Sequence, residues 1–241
     1  MNDWKRIWNQ RAQDVCAIGG QNQNVFDMFC KLKAADGYDT HIQEGYYEGF
    51  YEEWKRMNEK IHKKIPVFES VYEVGCGSGV NLYLYHELMG IDKLGGIDYS
   101  LPLISIAGQV FQGKDIDLEN GEAACLEIFP QYDIVLSEAA FIYFPDVHYG
   151  MEVLARMYEK AKKAVVIKEV FDLAKKEACM KVRRGSVENY DEKYKNLDKT
   201  FYAKEMFLKF AEDRGCECMI VEPELTFYWN NDYVFDAYLY K

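Results

Sequence analysis

Three alternating glycines, Gly75, Gly77 and Gly79, stand between a β-prone run (Val71, Tyr72, Val74) and a helical pattern through Leu82, Tyr85, Leu88 and Met89. A strand that turns this sharply into a helix points main-chain N–H groups at whatever lies in the turn. Glycine serves there twice. It accepts the backbone angles, and it lets a ligand approach the main chain. The pattern alone is a turn; its place between strand and helix makes it a candidate ligand cradle. Glu73, Cys76, Ser78 and Asn81 flank it. Asp98 stands nineteen residues after Gly79, at the end of a second strand, Lys93–Ile97. In a parallel sheet that position lies beside the glycine turn, where a carboxylate can accept both hydroxyl hydrogens of a ribose. The chemistry so defined is binding of a dinucleotide or another adenosine ligand.

A second set of reactive side chains follows the fourth strand, in Ser137-Glu138-Ala139-Ala140-Phe141-Ile142-Tyr143-Phe144-Pro145-Asp146-Val147-His148. Glu138 is the first side chain past the strand end. It either orients or deprotonates a hydroxyl, or contacts the ligand or a backbone N–H. Tyr143 either bonds substrate or packs. His148 is a candidate base, although its helix start favours a surface position. Lys168 and Glu169 leave strand five together and are placed to pair with each other. No Cys, His, Asp and Glu cluster has metal-ligand spacing, and the seven cysteines include no pair of C-x-x-C motifs. No metal is expected, and the thiols read as reduced and buried.

The elements that must position these groups come in order. Residues 1–65 read as an N-terminal helical cap or lid, with a loop or mobile arm over Arg11–Gln23 and a break at Gly37-Tyr38-Asp39. His41 falls in this possible lid. Tyr47, Phe50, Tyr51 and Trp54 recur at helical spacing. That stripe packs on the main domain, covers a ligand, or serves a homodimer. From Pro66 strands and helices alternate, the sign of a mainly parallel α/β sheet with helices on both faces. Strands are expected at Ser70–Val74, Lys93–Ile97, Ile116–Glu119, Asp133–Leu136 and Ala164–Ile167, with helices near 80–89 and 147–161. The charged stretch 172–200 is an insertion, either a solvated face or a flap whose Lys181–Arg184 cluster meets an anionic group. Phe201–Arg214 reads as an amphipathic helix, followed by two closing strands, Cys216–Val221 and Tyr233–Tyr240.

Glu73-Val74-Gly75-Cys76-Gly77-Ser78-Gly79, Gly96-Ile97-Asp98-Tyr99-Ser100, Gly121-Glu122-Ala123 and Tyr132-Asp133-Ile134-Val135-Leu136-Ser137 occur in that order. Together they resemble the class I S-adenosylmethionine-dependent methyltransferases. The resemblance implies a Rossmann-like, seven-stranded, mostly parallel sheet with its last strand antiparallel, over a cofactor domain at 66–241. It implies S-adenosylmethionine as methyl donor and S-adenosyl-L-homocysteine as product. Gly75, Cys76, Gly77, Gly79 and Asn81 would lie along the methionine part, and Glu73 would hold its amino group. Asp98 would bind the ribose, with Tyr99 and Ser100 beside the adenine. Glu122 would receive the exocyclic amine next to the Ala123 amide, and Ser137 would border the amino-acid end.

The implied activity is methyl transfer to a small molecule, foremost to a hydroxyl oxygen. The tail Tyr228-Trp229-Asn230-Asn231 loosely resembles methyltransferases of sugar and polysaccharide pathways, which suggests a sugar or nucleotide-linked sugar. A non-catalytic cofactor-binding partner subunit and a protein or RNA methyltransferase are the alternatives. An Asn-Pro-Pro-Tyr motif, which would favour amino groups of bases or glutamine, is missing after strand four. The net charge of −11 argues against a nucleic-acid partner. No apolar run approaches the length of a membrane helix, and no signal peptide is recognisable at Met1–Arg6, so a cytoplasmic location is expected.

Overall fold

The computed structural model describes residues 3–11, 24–37, 42–225 and 227–241. The expected arm over residues 12–23, the break at Tyr38-Asp39 and His41 lie outside them.

Three helices come first: α1 (Trp4–Arg11), α2 (Val25–Asp36) and α3 (Tyr46–Lys64). Asn24 caps α2, accepting the Asp27 N–H at 2.9 Å. The alternating unit then runs β1 (Ser70–Val74), α4 (Val80–Met89), β2 (Lys93–Asp98), α5 (Leu101–Val110), β3 (Asp117–Asn120), β4 (Tyr132–Glu138), α6 (Val147–Lys160) and β5 (Ala161–Asp172). Helices α7 (Lys176–Ser186) and α8 (Tyr190–Lys193) occupy the charged stretch. Strand β6 (Phe201–Tyr202), helix α9 (Lys204–Arg214) and strands β7 (Glu217–Val221) and β8 (Val234–Tyr240) close the chain.

The sheet order is β3-β2-β1-β4-β5-β8-β7, with β8 alone antiparallel to its neighbours. This is the Rossmann-like arrangement expected, with one addition. Phe201 and Tyr202 do not begin a helix. They pair in parallel with Phe171 and Asp172, so the sheet has eight strands. Tertiary contacts override the helical pattern here: Phe201 stacks on Phe171 at 4.9 Å, and the Tyr202 hydroxyl donates to Phe141 O at 3.0 Å. Strand β5 also runs well past Ile167. The charge on Lys168 reads as a strand end, yet its ammonium is paired inside with Glu53 (2.9 Å) and Asp236 (3.6 Å). It does not pair with Glu169.

Every residue of β1 is buried, as a central strand covered on both faces requires. Alternate side chains divide between two apolar clusters. Val71, Leu94, Ile134 and Val166 face Trp54, Met57, Ile61 and Leu82, while Tyr72, Val74, Val135 and Val165 face Val153, Leu154, Met157 and Phe207. The aromatic stripe of α3 belongs to the first cluster. Tyr46, Phe50 and Trp54 are buried, and Trp54 meets Tyr85 edge-on at 5.0 Å. Tyr47 and Tyr51 of the same stripe are half-buried against that cluster. No helix among them is long and apolar enough to cross a membrane.

Candidate active site

The site grows from the carboxyl ends of β1, β2, β4 and β5. Gly75 and Gly79 adopt φ of 76° and 80°, and Gly79 opens α4 from this left-handed position. The turn is pinned from β2: Gly75 N–H donates to Ile97 O at 2.8 Å. Asp98 accepts the Gly77 N–H (3.0 Å) on one oxygen and the Ser100 N–H (2.7 Å) on the other. A carboxylate has about four acceptor positions, so a vicinal diol still finds partners there. Burial lifts the Asp98 pKa to about 6, against the pull of the Ser100 and Gly77 amides. Glu73 is buried further. Its Oε1 accepts the Asn81 amide at 2.7 Å, while Oε2 is buried with no hydrogen-bond partner. Burial pushes its pKa well up, with the Asn81 amide opposing. An ammonium reaching Oε2 would satisfy that atom.

One cavity, about 1340 Å³ counting its open mouth, connects this turn to the ends of β4 and β5. Glu73, Gly75, Cys76, Gly77, Asn81, Asp98, Tyr99, Ala123, Glu138 and Tyr143 all line it. Five other expected residues do not. Gly79 acts through the turn's geometry. The Ser100 hydroxyl donates to Trp8 O at 3.1 Å instead. Ser137 is wholly buried on the opposite face of β4 from Glu138, as the two-residue period demands. Glu122 points outward to Lys5 Nζ at 2.7 Å. His148 is corrected most plainly: its side chain is 86% exposed and its nearest charge partner is Glu152 on α6.

Glu138 and Glu169 lie on neighbouring strands and meet opposite surroundings. Glu138 accepts from Lys33 at 3.1 Å and from Asn81 at 2.8 Å. Burial works to raise its pKa, but Lys33, Lys168 and the Asn81 amide together hold it below the usual carboxylate range. Glu169 accepts the Tyr228 hydroxyl at 2.8 Å. Burial and the nearby Glu138 charge push its pKa up, and Lys33 and Tyr228 only partly oppose this. Two left-handed residues mark the same spot, Ala139 at φ 54° and Glu169 at φ 60°. Such non-glycine backbone stores roughly 1–3 kcal/mol and concentrates at functional sites.

Several lining residues carry no local sequence signal. Lys33 and Asp36 come from α2. Asp36 reaches the glycine turn, accepting Ser78 N–H at 2.7 Å and Ser78 Oγ–H at 2.8 Å. Burial lifts it to about 7, against these bonds. Arg183, Lys199, Tyr228, Trp229 and Asn230 complete the wall. Of the groups at this end not expected as site residues, Glu169 follows the expected end of strand five, Ile167, and Arg183 stands in the basic run expected to meet an anionic group. Among the described residues no group of His, Cys, Asp and Glu could hold a metal.

Residues 71–164 match the family profile described as a methyltransferase domain. Together with the sheet order and the glycine turn, this match supports a class I S-adenosylmethionine-dependent methyltransferase domain within the chain. Comparison with curated proteins gives no match. The fold is shared with several solved structures. Magnesium protoporphyrin IX methyltransferase (ChlM) from Synechocystis PCC 6803, with bound SAH, has a TM-score of 0.61 at 15% identity, over 90% of this chain and 93% of that one. The plantazolicin methyltransferase BpumL, in complex with a triazolic desmethylPZN analog and SAH, gives 0.63 at 14% identity, over 100% and 99%. CalS10 from Micromonospora echinaspora, an amino pentose methyltransferase, gives 0.60 at 13% identity, over 93% and 99%.

Proposed function

We propose that this chain moves a methyl group from S-adenosylmethionine to a hydroxyl oxygen of a small molecule. Residues 66–241 would hold the donor and residues 1–65 would cap the acceptor. One observation carries the reading: a single cavity joins the glycine turn and Asp98 to Glu169, a buried carboxyl whose raised proton affinity suits a general base.

The cofactor supplies a methyl already activated on a sulfonium. What remains for the protein is alignment and, for a hydroxyl, proton removal. Asp98 has acceptor positions for the ribose, Glu73 Oε2 for the amino group, and Tyr99, Leu103 and Ala123 a surface for the base. Asp36, Glu73, Asp98 and Glu138 gather carboxyl groups where a cationic donor belongs, and its positive charge would favour their ionised forms. Glu169 is the base in this reading, with Tyr228 fixing its orientation. Glu138, tied to Lys33 and Asn81, positions the strand ends, and Tyr143 forms a wall. A sugar, free or nucleotide-linked, suits the mixed lining of Tyr143, Trp229 and Asn230.

Thermal shift with S-adenosylhomocysteine tests the donor side; no stabilisation of the wild-type chain rejects it. A panel of hydroxylated acceptors, nucleotide-linked sugars included, with labelled cofactor tests the rest. Label appearing only in protein or amine acceptors would reject the hydroxyl.

A further inference from the structure

The basic run in α7 does not act as one patch. Lys176, Lys181 and Arg184 face solvent, and Arg183 alone turns inward, 3% exposed, to line the cavity. Its Nε donates to Cys179 Sγ at 3.3 Å and a terminal nitrogen donates to Asn230 Oδ1. Its guanidinium lies 4.1 Å from the Trp229 ring and 5.2 Å from Phe171. All of these groups are neutral. Among the described residues no carboxylate lies within ion-pair reach of Arg183.

Two other buried cations are treated differently. Lys168 has Glu53 and Asp236, and Lys33 has Glu138. A buried charge left without a counter-ion loses solvation that only a partner of opposite charge can replace. Arg183 borders open cavity, so a ligand can supply the missing charge, and the planar fork of a guanidinium matches a carboxylate or phosphate in two parallel bonds. The second cation on this wall, Lys199, sits 4.4 Å from the Tyr143 ring.

Resting on the transfer reading above, we infer that Arg183, stacked on Trp229, binds an anionic group of the acceptor, a carboxylate or a phosphate. The bonded chain Arg183–Asn230–Tyr228–Glu169 then ties that anchor to the base: Asn230 Nδ2 donates to the Tyr228 oxygen at 2.7 Å, and the Tyr228 hydroxyl to Glu169 at 2.8 Å. Anion and reacting hydroxyl are thereby held at a set separation, which makes Arg183 a specificity-determining residue.

Calorimetric titration of the full chain with S-adenosylhomocysteine, then with benzoate, phenyl phosphate and neutral benzamide in low salt, tests this. At least one anion should bind about tenfold or more tightly than benzamide, and the tighter of the two names the anion class. Arg183→Gln should abolish the preference and leave S-adenosylhomocysteine affinity unchanged. Equal binding of benzamide and both anions by the wild type overturns the inference, without need of the variant. So does a preference that survives in a folded Arg183→Gln. Failure of S-adenosylhomocysteine to bind would instead strike the proposed function and leave the anion preference readable.

Discussion

The two ends of the cavity are built in different ways. At the glycine turn, Glu73, Gly75, Cys76, Gly77, Asn81, Asp98 and Tyr99 come from β1, α4, β2 and the turns that follow the two strands, adjacent in sequence and paired in register from Ser70↔Lys93 to Val74↔Ile97. Main-chain hydrogen bonds and left-handed glycines shape that end. At the β4 and β5 ends the wall is assembled from α2, Glu138, Glu169, α7 and the 228–230 segment. Side chains hold it across long separations: 105 positions for Lys33–Glu138, 59 for Tyr228–Glu169 and 47 for Arg183–Asn230. A backbone-made end is set by local chain geometry and tolerates loss of one side chain. A network-made end is cooperative, and removing one member leaves buried partners unsatisfied.

Breaking the acceptor end first should give the largest effect. Glu169→Gln removes the base while keeping an acceptor for Tyr228. We expect kcat to fall about 10²–10⁴-fold, with S-adenosylhomocysteine affinity unchanged by calorimetry. In the wild type, kcat should climb with pH as Glu169 loses its proton, above the ordinary carboxylate range, because burial raises its pKa. The variant should lack that limb; a limb that persists would move the base elsewhere.

Lys33→Met comes next. It strips Glu138 of its nearest cation and leaves a buried carboxylate with fewer partners, so denaturant unfolding should show a loss of about 3–5 kcal/mol. A loss below about 1 kcal/mol would show that the pair is screened like a surface one. At the donor end, Asp98→Ala should weaken S-adenosylhomocysteine about 10–100-fold, the worth of charge-assisted bonds to the ribose, and leave the acceptor network standing.

The same division separates what is legible in the sequence from what is not. The glycine turn, Asp98 and the first, second and fourth strands are legible, because apolar runs and glycine punctuation are local signals. Strand β6 is not, since two residues become a strand only against β5. Nor is the full length of β5, because the charge on Lys168 is neutralised by Glu53, 115 positions away. Ser137 is within reach of reasoning: with Glu138 turned toward the site, a two-residue period sends its neighbour to the other face. Asp36 has no local signal at all, and Arg183 has only the one it shares with the whole Lys181–Arg184 run. An acid at a helix end and an arginine in a basic run acquire meaning only when α2 reaches the glycine turn and α7 the cavity.

The smallest effect sharpens the donor end. Asp36 and Asp98 are lifted by burial to about 7 and about 6, above the ordinary carboxylate value of 3.8. A group that binds its proton more tightly when folded favours folding fully at pH below its unfolded value, and that contribution fades as pH rises through its folded value. Acid unfolding elsewhere in the chain will mask the trend in the wild type alone, so the difference between wild type and Asp36→Asn is the quantity to follow. Asparagine keeps an acceptor for the Ser78 N–H and cannot ionise. Between about pH 4 and pH 7 the wild type should lose stability relative to the variant. A difference that is flat, or that grows in favour of the wild type, would mean that Asp36 stays ionised in the folded chain, stabilised as a carboxylate by the Ser78 N–H and hydroxyl that donate to it.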